Sequence, residues 1–204
     1  GTALAAFPIA PAQALPVDFG CITGTSATNC SAGEAQLSVE VTDLGGGQVQ
    51  FDFINAGPAA SSIADVYFDD GTLLGIAYLI DSDDNGGDPG VDFTQGATPG
   101  NLPGGNVVGF QAIAGFTADS DPPVQPNGVN PGETLGVIFN LQVGGSYADV
   151  LAELTDGRLR IGIHVQGFGD GGSESFVNNP IPEPGMAMLL GLGLAGLASR
   201  RRAV

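Results

Sequence analysis

Apolar and polar residues alternate with a period of two through the middle of the chain. Leu37, Val39 and Val41 alternate with Ser38, Glu40 and Thr42, and Val49, Phe51 and Phe53 with Gln48, Gln50 and Asp52. Leu135, Val137, Phe139 and Leu141 share a face opposite Thr134, Gly136, Asn140 and Gln142. Leu159, Ile161, Ile163 and Val165 point inward, with Arg158, Arg160, His164 and Gln166 outward. Successive side chains leave a strand on opposite faces, so this period predicts half-buried strands with one wet face. Residues 63–68, 73–80 and 107–116 are further strand candidates, and 73–80 is apolar enough to be central.

Turn chemistry falls at strand-like intervals. Gly45-Gly46-Gly47, Asn55-Ala56-Gly57-Pro58, Asp69-Asp70-Gly71, Pro103-Gly104-Gly105 and Asn130-Pro131-Gly132 all supply residues that turns favour. One helix interrupts the pattern: Ser146 caps it, Asp149 sits in its first turn, Val150, Leu151 and Leu154 form its apolar side, and Gly157 ends it. About seven strands and one short helix predict an all-β fold, an antiparallel β-sandwich of jelly-roll or immunoglobulin-like type. Two stretches rich in Pro, Gly and Asp, 81–106 and 119–132, are expected as long loops at the ends of the sandwich, where binding surfaces concentrate.

Both ends of the chain read differently. In residues 1–14, Leu4, Ala5, Ala6, Phe7 and Ile9 form the end of an apolar core, and Ala12-Gln13-Ala14 fits a small-x-small cleavage site. They are the expected remnant of a secretory signal, with the mature protein starting near Leu15. The sandwich domain is expected over 15–178 and a separate tail over 179–204.

Charge narrows the partners. The formal net charge is −17, with five basic side chains: Arg158, Arg160, Arg200, Arg201 and Arg202. Nucleic acid and anionic membrane surfaces need clustered Lys or Arg, so neither is an expected partner of the domain. Calcium, other cations and neutral polymers remain. Cys21 and Cys30 are the only cysteines. In an oxidising compartment they are most simply a disulfide across a short Thr/Ser/Gly-rich loop, and closing about ten residues stabilises a fold by roughly 3 kcal/mol in the chain-entropy model.

The strongest internal motif runs from Asp81 to Asp92. Against the calcium-loop pattern D-x-[DN]-x-[DN]-G-x5-E, positions 1, 3, 5 and 6 match as Asp81, Asp83, Asn85 and Gly86, and Asp92 stands at position 12. Hard calcium takes several oxygens, which gives Asp81, Asp83, Asn85, Gly87 and Asp92 as the candidate metal set. The flanks are not helical and Asp88-Pro89 departs from the pattern, so this is no EF-hand; a solvated acidic loop is the other reading. Asp65, Asp69, Asp70, Asp119, Asp121 and Asp170 are further acids from which a cation site could draw.

Catalytic signals are weak. His164 is the only histidine, and on the wet face of a strand it reads as a surface or interface residue before it reads as a base. There is no G-x-S-x-G elbow, no Cys beside a His and no lysine for a Schiff base. Paired carboxylates leave a glycosidase open. Tryptophan is absent, however, and Tyr67, Tyr78 and Tyr147 are the only tyrosines, so sugar-stacking platforms are few. No catalytic residue is assigned, and the protein is expected not to be an enzyme.

The tail has three parts in order: Pro182-Glu183-Pro184, an uncharged apolar run over 185–199, and Arg200-Arg201-Arg202. About 15 residues of helix reach roughly 22 Å against a hydrocarbon core of about 30 Å, short for a permanent anchor. The arginines belong on the cytoplasmic side and the prolines outside. This tail resembles the PEP-CTERM sorting signal of Gram-negative bacteria. The resemblance implies a C-terminal hydrophobic transmembrane helix, membrane insertion before processing, and removal of the tail by an exosortase. It further implies an extracytoplasmic protein of the cell surface or extracellular matrix, linked with exopolysaccharide and biofilm. Acidic or neutral polysaccharide is then the expected partner of the domain, with calcium as a bridge. A carbohydrate-binding module is the alternative, and a carboxylate-based glycoside hydrolase the third reading.

Overall fold

Ten antiparallel strands carry the apolar alternation in the computed structural model, which describes residues 14–69, 72–84, 86–113, 115–142 and 144–178. They are β1 (Leu15–Cys21), β2 (Leu37–Gly45), β3 (Gln48–Asn55), β4 (Ser62–Asp69), β5 (Leu73–Ile80), β6 (Phe93–Gln95), β7 (Thr117–Ser120), β8 (Thr134–Leu141), β9 (Arg160–Gln166) and β10 (Ser173–Asn178). The helices are α1 (Ala27–Gln36), α2 (Val124–Asn127) and α3 (Tyr147–Asp156), with a 3-10 turn at Gly105–Val108.

Hydrogen bonding runs β5-β8-β3-β2-β1-β10-β9-β4-β7-β6. β1 is the corner. Its first half, Leu15 to Asp18, pairs with β2, and its second half, Phe19 to Cys21, pairs with β10. The two sheets expected of a sandwich are thus one sheet, bent at β1 and curled until its edges β5 and β6 nearly meet.

The core lies inside the curl. Phe51 and Phe139 from one half meet Phe68 from the other edge-to-face, at centroid distances of 5.1 and 4.6 Å, and Phe116 reaches Phe139 at 5.7 Å. Edge-to-face contact sets the positive ring edge against the negative ring face, worth about 0.5–1.5 kcal/mol per pair beyond the area buried. Val39, Val41, Val49, Phe53, Leu135, Val137, Ile161, Ile163 and Val165, all inward in the alternation, are fully buried.

α3 forms as its sequence predicts. The Ser146 hydroxyl accepts from Asp149 N, the Asp149 carboxylate accepts from Ser146 N at 2.8 Å, and Gly157 takes φ 76° beyond the last turn. Both orphan donors at the start are satisfied, and Val150 and Leu154 face the core.

Three expectations need correction. The single short helix becomes three. α1 escaped because Ala, Ser, Gly and Gln give it almost no apolar stripe; Ser26 caps it, and Gly33 lets the Phe176 ring approach so closely that a Cβ there would lie 2.2 Å from the ring. Residues 107–116 are not a strand. Gly109 and Gly115 take positive φ, and the segment crosses the outer face of β4 with Phe110 buried and Val107 at 77 % exposure. Residues 73–80 form a strand at the sheet edge rather than its centre, paired only with β8 through an irregular register, with Tyr78 on the surface. Residues 1–13 of the signal remnant, Asp70, Asn85 and the whole tail, including its apolar run, lie outside the described residues.

Candidate functional site

The acidic loop joins β5 to β6, and its first residue is spoken for. Asp81 is 5 % exposed; its Oδ1 accepts from Asp83 N at 3.2 Å and its Oδ2 from Phe93 N at 3.0 Å. One carboxylate thereby ties the start of the loop to the start of β6. Further turns continue the loop: Asp84 N donates to the Asp81 carbonyl, Gly87 N to the Asp84 carbonyl and Val91 N to the Asp88 carbonyl. Gly87 lies so close to the Asp81 carbonyl that a Cβ would come within 1.6 Å of its oxygen, so the loop needs glycine there for space. Asp88 Oδ2 accepts from Thr134 N at 2.6 Å, docking the loop on β8, and the Tyr78 hydroxyl donates to Asp84.

Asp92 carries the loop's unrelieved charge. Partial burial, then the charges of Asp121, Asp81 and Asp83, push its carboxyl above the usual range. The carboxylates of Asp81, Asp83 and Asp92 nonetheless do not gather within 4.8 Å of one another. Of the candidate set, then, Asp81 and Gly87 have structural tasks, Asp83 is exposed, Asp92 is crowded by neighbouring acids, and Asn85 is outside the described residues.

A different constellation lies across the outer face of the second half-sheet. Strand register aligns Thr94 (β6), Asp119 (β7), Asp65 (β4), His164 (β9) and Ser175 (β10) in one cross-strand row. Asp65 is 3 % exposed, and its Oδ2 meets His164 Nδ1 at 3.0 Å. Its Oδ1 and the Ser175 hydroxyl are buried without a protein partner. Burial, the hydrogen bond with Asp65 and the Asp65 charge push the Asp119 carboxyl up to about 6, against a smaller opposing pull from the Thr98 N–H. Burial, followed by the charges of Asp65 and Asp119, also pushes the Tyr67 hydroxyl up. His164 does leave β9 on the face opposite Ile161 and Ile163, but it is paired and only 15 % exposed, not a free surface residue.

The remaining acids are dispersed. Asp69 pairs with Arg160, whose guanidinium also donates to the Val108 and Gly109 carbonyls and stands 5.4 Å over the Phe110 ring. Asp170 accepts from the Ser26 hydroxyl at 3.3 Å, and Asp121 from the Thr94 hydroxyl at 3.0 Å.

Cys21 and Cys30 form the expected disulfide, with Cys30 on α1 rather than in a loop. Glu174, missed in the sequence, sits against it at 1 % exposure. It accepts from the Thr23 hydroxyl, from Thr25 N at 3.1 Å and hydroxyl, and from Ser26 N at 2.6 Å. Burial pushes its carboxyl up, yet these four donors outweigh burial and hold it below the usual range.

Open clefts flank the sheet. One of about 320 Å³ is lined by Pro58, Ser61, Ser62, Gln125, Asn130 and Pro131; another, about 250 Å³, lies beside the acidic loop between Asp52, Ile80, Asp88 and Thr134. Neither contains an aromatic side chain or any member of the Asp65 row.

The described residues therefore define an acidic, disulfide-bonded, all-β domain, and among them no helix is long and apolar enough to cross a membrane. C-terminal to this domain the chain carries a PEP-CTERM protein-sorting motif, whose family model matches residues 180–202. The motif implies processing by an exosortase and an extracytoplasmic, membrane-anchored precursor. No curated protein and no solved structure matches the chain.

Proposed function

We propose that this chain is an exported, exosortase-processed, non-enzymatic protein of the cell surface or extracellular matrix of a Gram-negative bacterium. The single observation that carries this reading is the sorting motif over 180–202. The curled sheet serves as a rigid, sandwich-like platform of the jelly-roll or immunoglobulin-like kind, and its strong negative charge keeps the released domain soluble and apart from its own copies. Its partner is acidic or neutral polysaccharide of the matrix. Calcium would join two negative surfaces, with Asp83 and Asp92 as the loop carboxylates least committed to the fold. A non-enzymatic role is supported by His164 and Asp65, which are paired with each other, largely buried, and line neither cleft.

The test is to replace Pro182, Glu183 and Pro184 with alanine in cells that carry an exosortase. C-terminal mass and cell fraction would then be measured for both chains. The native chain is expected to lose its tail and leave the membrane, and the variant to accumulate uncut. Identical mass and location for the two would overturn the reading. Calorimetry with calcium, before and after EDTA, reports on the bridge, and the absence of any heat would remove it.

A further inference from the structure

The fold brings Asp65 and Asp119 together on neighbouring strands. They are direct partners on the β4–β7 ladder, which sets the two carboxyl groups side by side on one face. Asp65 keeps one oxygen on His164, while its buried Oδ1 has no donor from the protein. Two ionised carboxylates at this range repel, and the buried oxygen would stay unsatisfied. A single proton on Asp119 removes both faults, because its O–H then donates to Asp65 Oδ1 while Asp65 Oδ2 keeps its contact with His164 Nδ1. Among the described residues these side chains form no group of three metal-ligating atoms within 4.8 Å, so a proton is the smallest occupant that satisfies the pair.

The pair sits next to an edge of the sheet. β7 is held to β4 by three residue pairs and to the edge strand β6 by three more. Asp119 also accepts the Thr98 N–H, Ala97 N donates to Thr117 Oγ1 at 2.9 Å, and the Tyr67 hydroxyl donates to the Pro99 carbonyl at 3.1 Å. These contacts lay residues 96–101 over a small buried cluster of Tyr67, Leu102, Phe110 and Val177. The charged or titratable groups facing the pair are His164 from β9, Tyr67 from β4 and Asp121 at the end of β7, with Asp92 beyond it. β6 and residues 96–101 contribute no charged side chain, and Arg160 is committed to Asp69 and to loop carbonyls.

We propose that Asp65 and Asp119 form a proton-operated latch: one shared proton holds β7, β6 and the segment over 96–101 against β4, and its loss loosens that edge of the sheet. The Asp119 carboxyl is raised from 3.8 to about 6, so its stabilising contribution is complete below about pH 4 and lost as pH rises through about 6. An acidic surrounding shuts the edge, and a neutral one frees it.

Hydrogen exchange of the full chain at pH 5.0 and pH 7.5, corrected for intrinsic rates, tests this on peptides spanning 93–101 and 117–120. Protection there is expected to fall about tenfold or more at the higher pH, while β2 and β3 keep theirs. Asp119→Asn donates an amide N–H to Asp65 in place of the proton, and is expected to keep these peptides equally protected at both pH values. Equal protection in the native chain, or an undiminished fall in the variant, would overturn the latch. Should the variant not fold, carboxyl carbon NMR of the native chain decides: an aspartate titrating near pH 6 supports the pair, and none above pH 5 overturns it. Protection restored at pH 7.5 by calcium alone would also overturn it, because a cation would then be the occupant.

Discussion

Glu174 offers a measurement of how the first and last strands are held together. Its carboxylate is buried on β10 and gathers four donors from residues 23–26, the stretch between β1 and α1. Thr23 closes the circuit, since its hydroxyl oxygen accepts from Ser175 N at 2.9 Å. In Glu174→Ala the two hydroxyls turn to water, because this stretch lies near the surface. The N–H groups of Thr25 and Ser26 lose a charged acceptor, at roughly 1–3 kcal/mol each when burial keeps water away. Partial rehydration of Thr25 brings the expected total to about 2–4 kcal/mol. Urea unfolding at pH 7 with the disulfide intact reads this as a lower midpoint at unchanged slope. Glu174→Gln keeps one acceptor oxygen but turns an NH2 toward donors, so it recovers less than half of the loss. Because the folded carboxyl lies below its ordinary 4.5, its contribution is present above that pH and lost as pH falls through the folded value. The stability gap between native and Gln chains must therefore shrink toward pH 3. A gap independent of pH, or a loss under about 0.5 kcal/mol for the Ala variant, would refute the circuit as a stabilising unit.

Two further substitutions test packing. Phe68→Ala empties the centre of the aromatic cluster, where Phe68 meets Phe51, Phe53 and Phe139, and is expected to cost about 3–5 kcal/mol in denaturant unfolding; a cost below about 1 kcal/mol would mean that the two halves do not meet there. Gly87→Ala forces its Cβ toward the Asp81 carbonyl, so the acidic loop must shift and release the Phe93 amide. Amide NMR of Phe93 and a lower melting temperature report it, and an unchanged Phe93 resonance would show that the close approach does not constrain the loop.

Legibility in the sequence followed the burial of one face. β2, β3, β8 and β9 were readable because each has a core side and a wet side, which alternation encodes directly. The capped helix α3 was readable because its signals are local. β4 also emerged, but both of its faces are covered, and its run of seven buried positions hides the fact that Asp65 is among them. β6 and β7 are too short for any period, with three and four residues. α1 lacked an apolar stripe because its packing depends on a missing side chain at Gly33 rather than on a large one. Residues 107–116 misled for the opposite reason: Phe110 is buried in the small outer cluster and Phe116 in the core, and the segment's backbone joins that of β4 at Phe68 rather than along a ladder.

The acids divide along the same line. The loop at 81–92 matches a pattern because its residues are contiguous, yet once folded its first carboxylate is consumed by two backbone amides. Asp65 and Asp119 match no pattern, and the contact that makes them distinctive depends on register between strands separated by 54 residues, 119 less 65. An alternating sequence says that a residue faces outward, not who stands beside it or whether another segment will lie on top. Asp65 becomes one of the most enclosed charges in the domain through neighbours on β7 and β9 that are remote from it in sequence. Charge in this protein is therefore of two kinds: most of it stays at the surface, while Asp65 is enclosed beside His164 and Asp119, at the edge that the pair is proposed to hold.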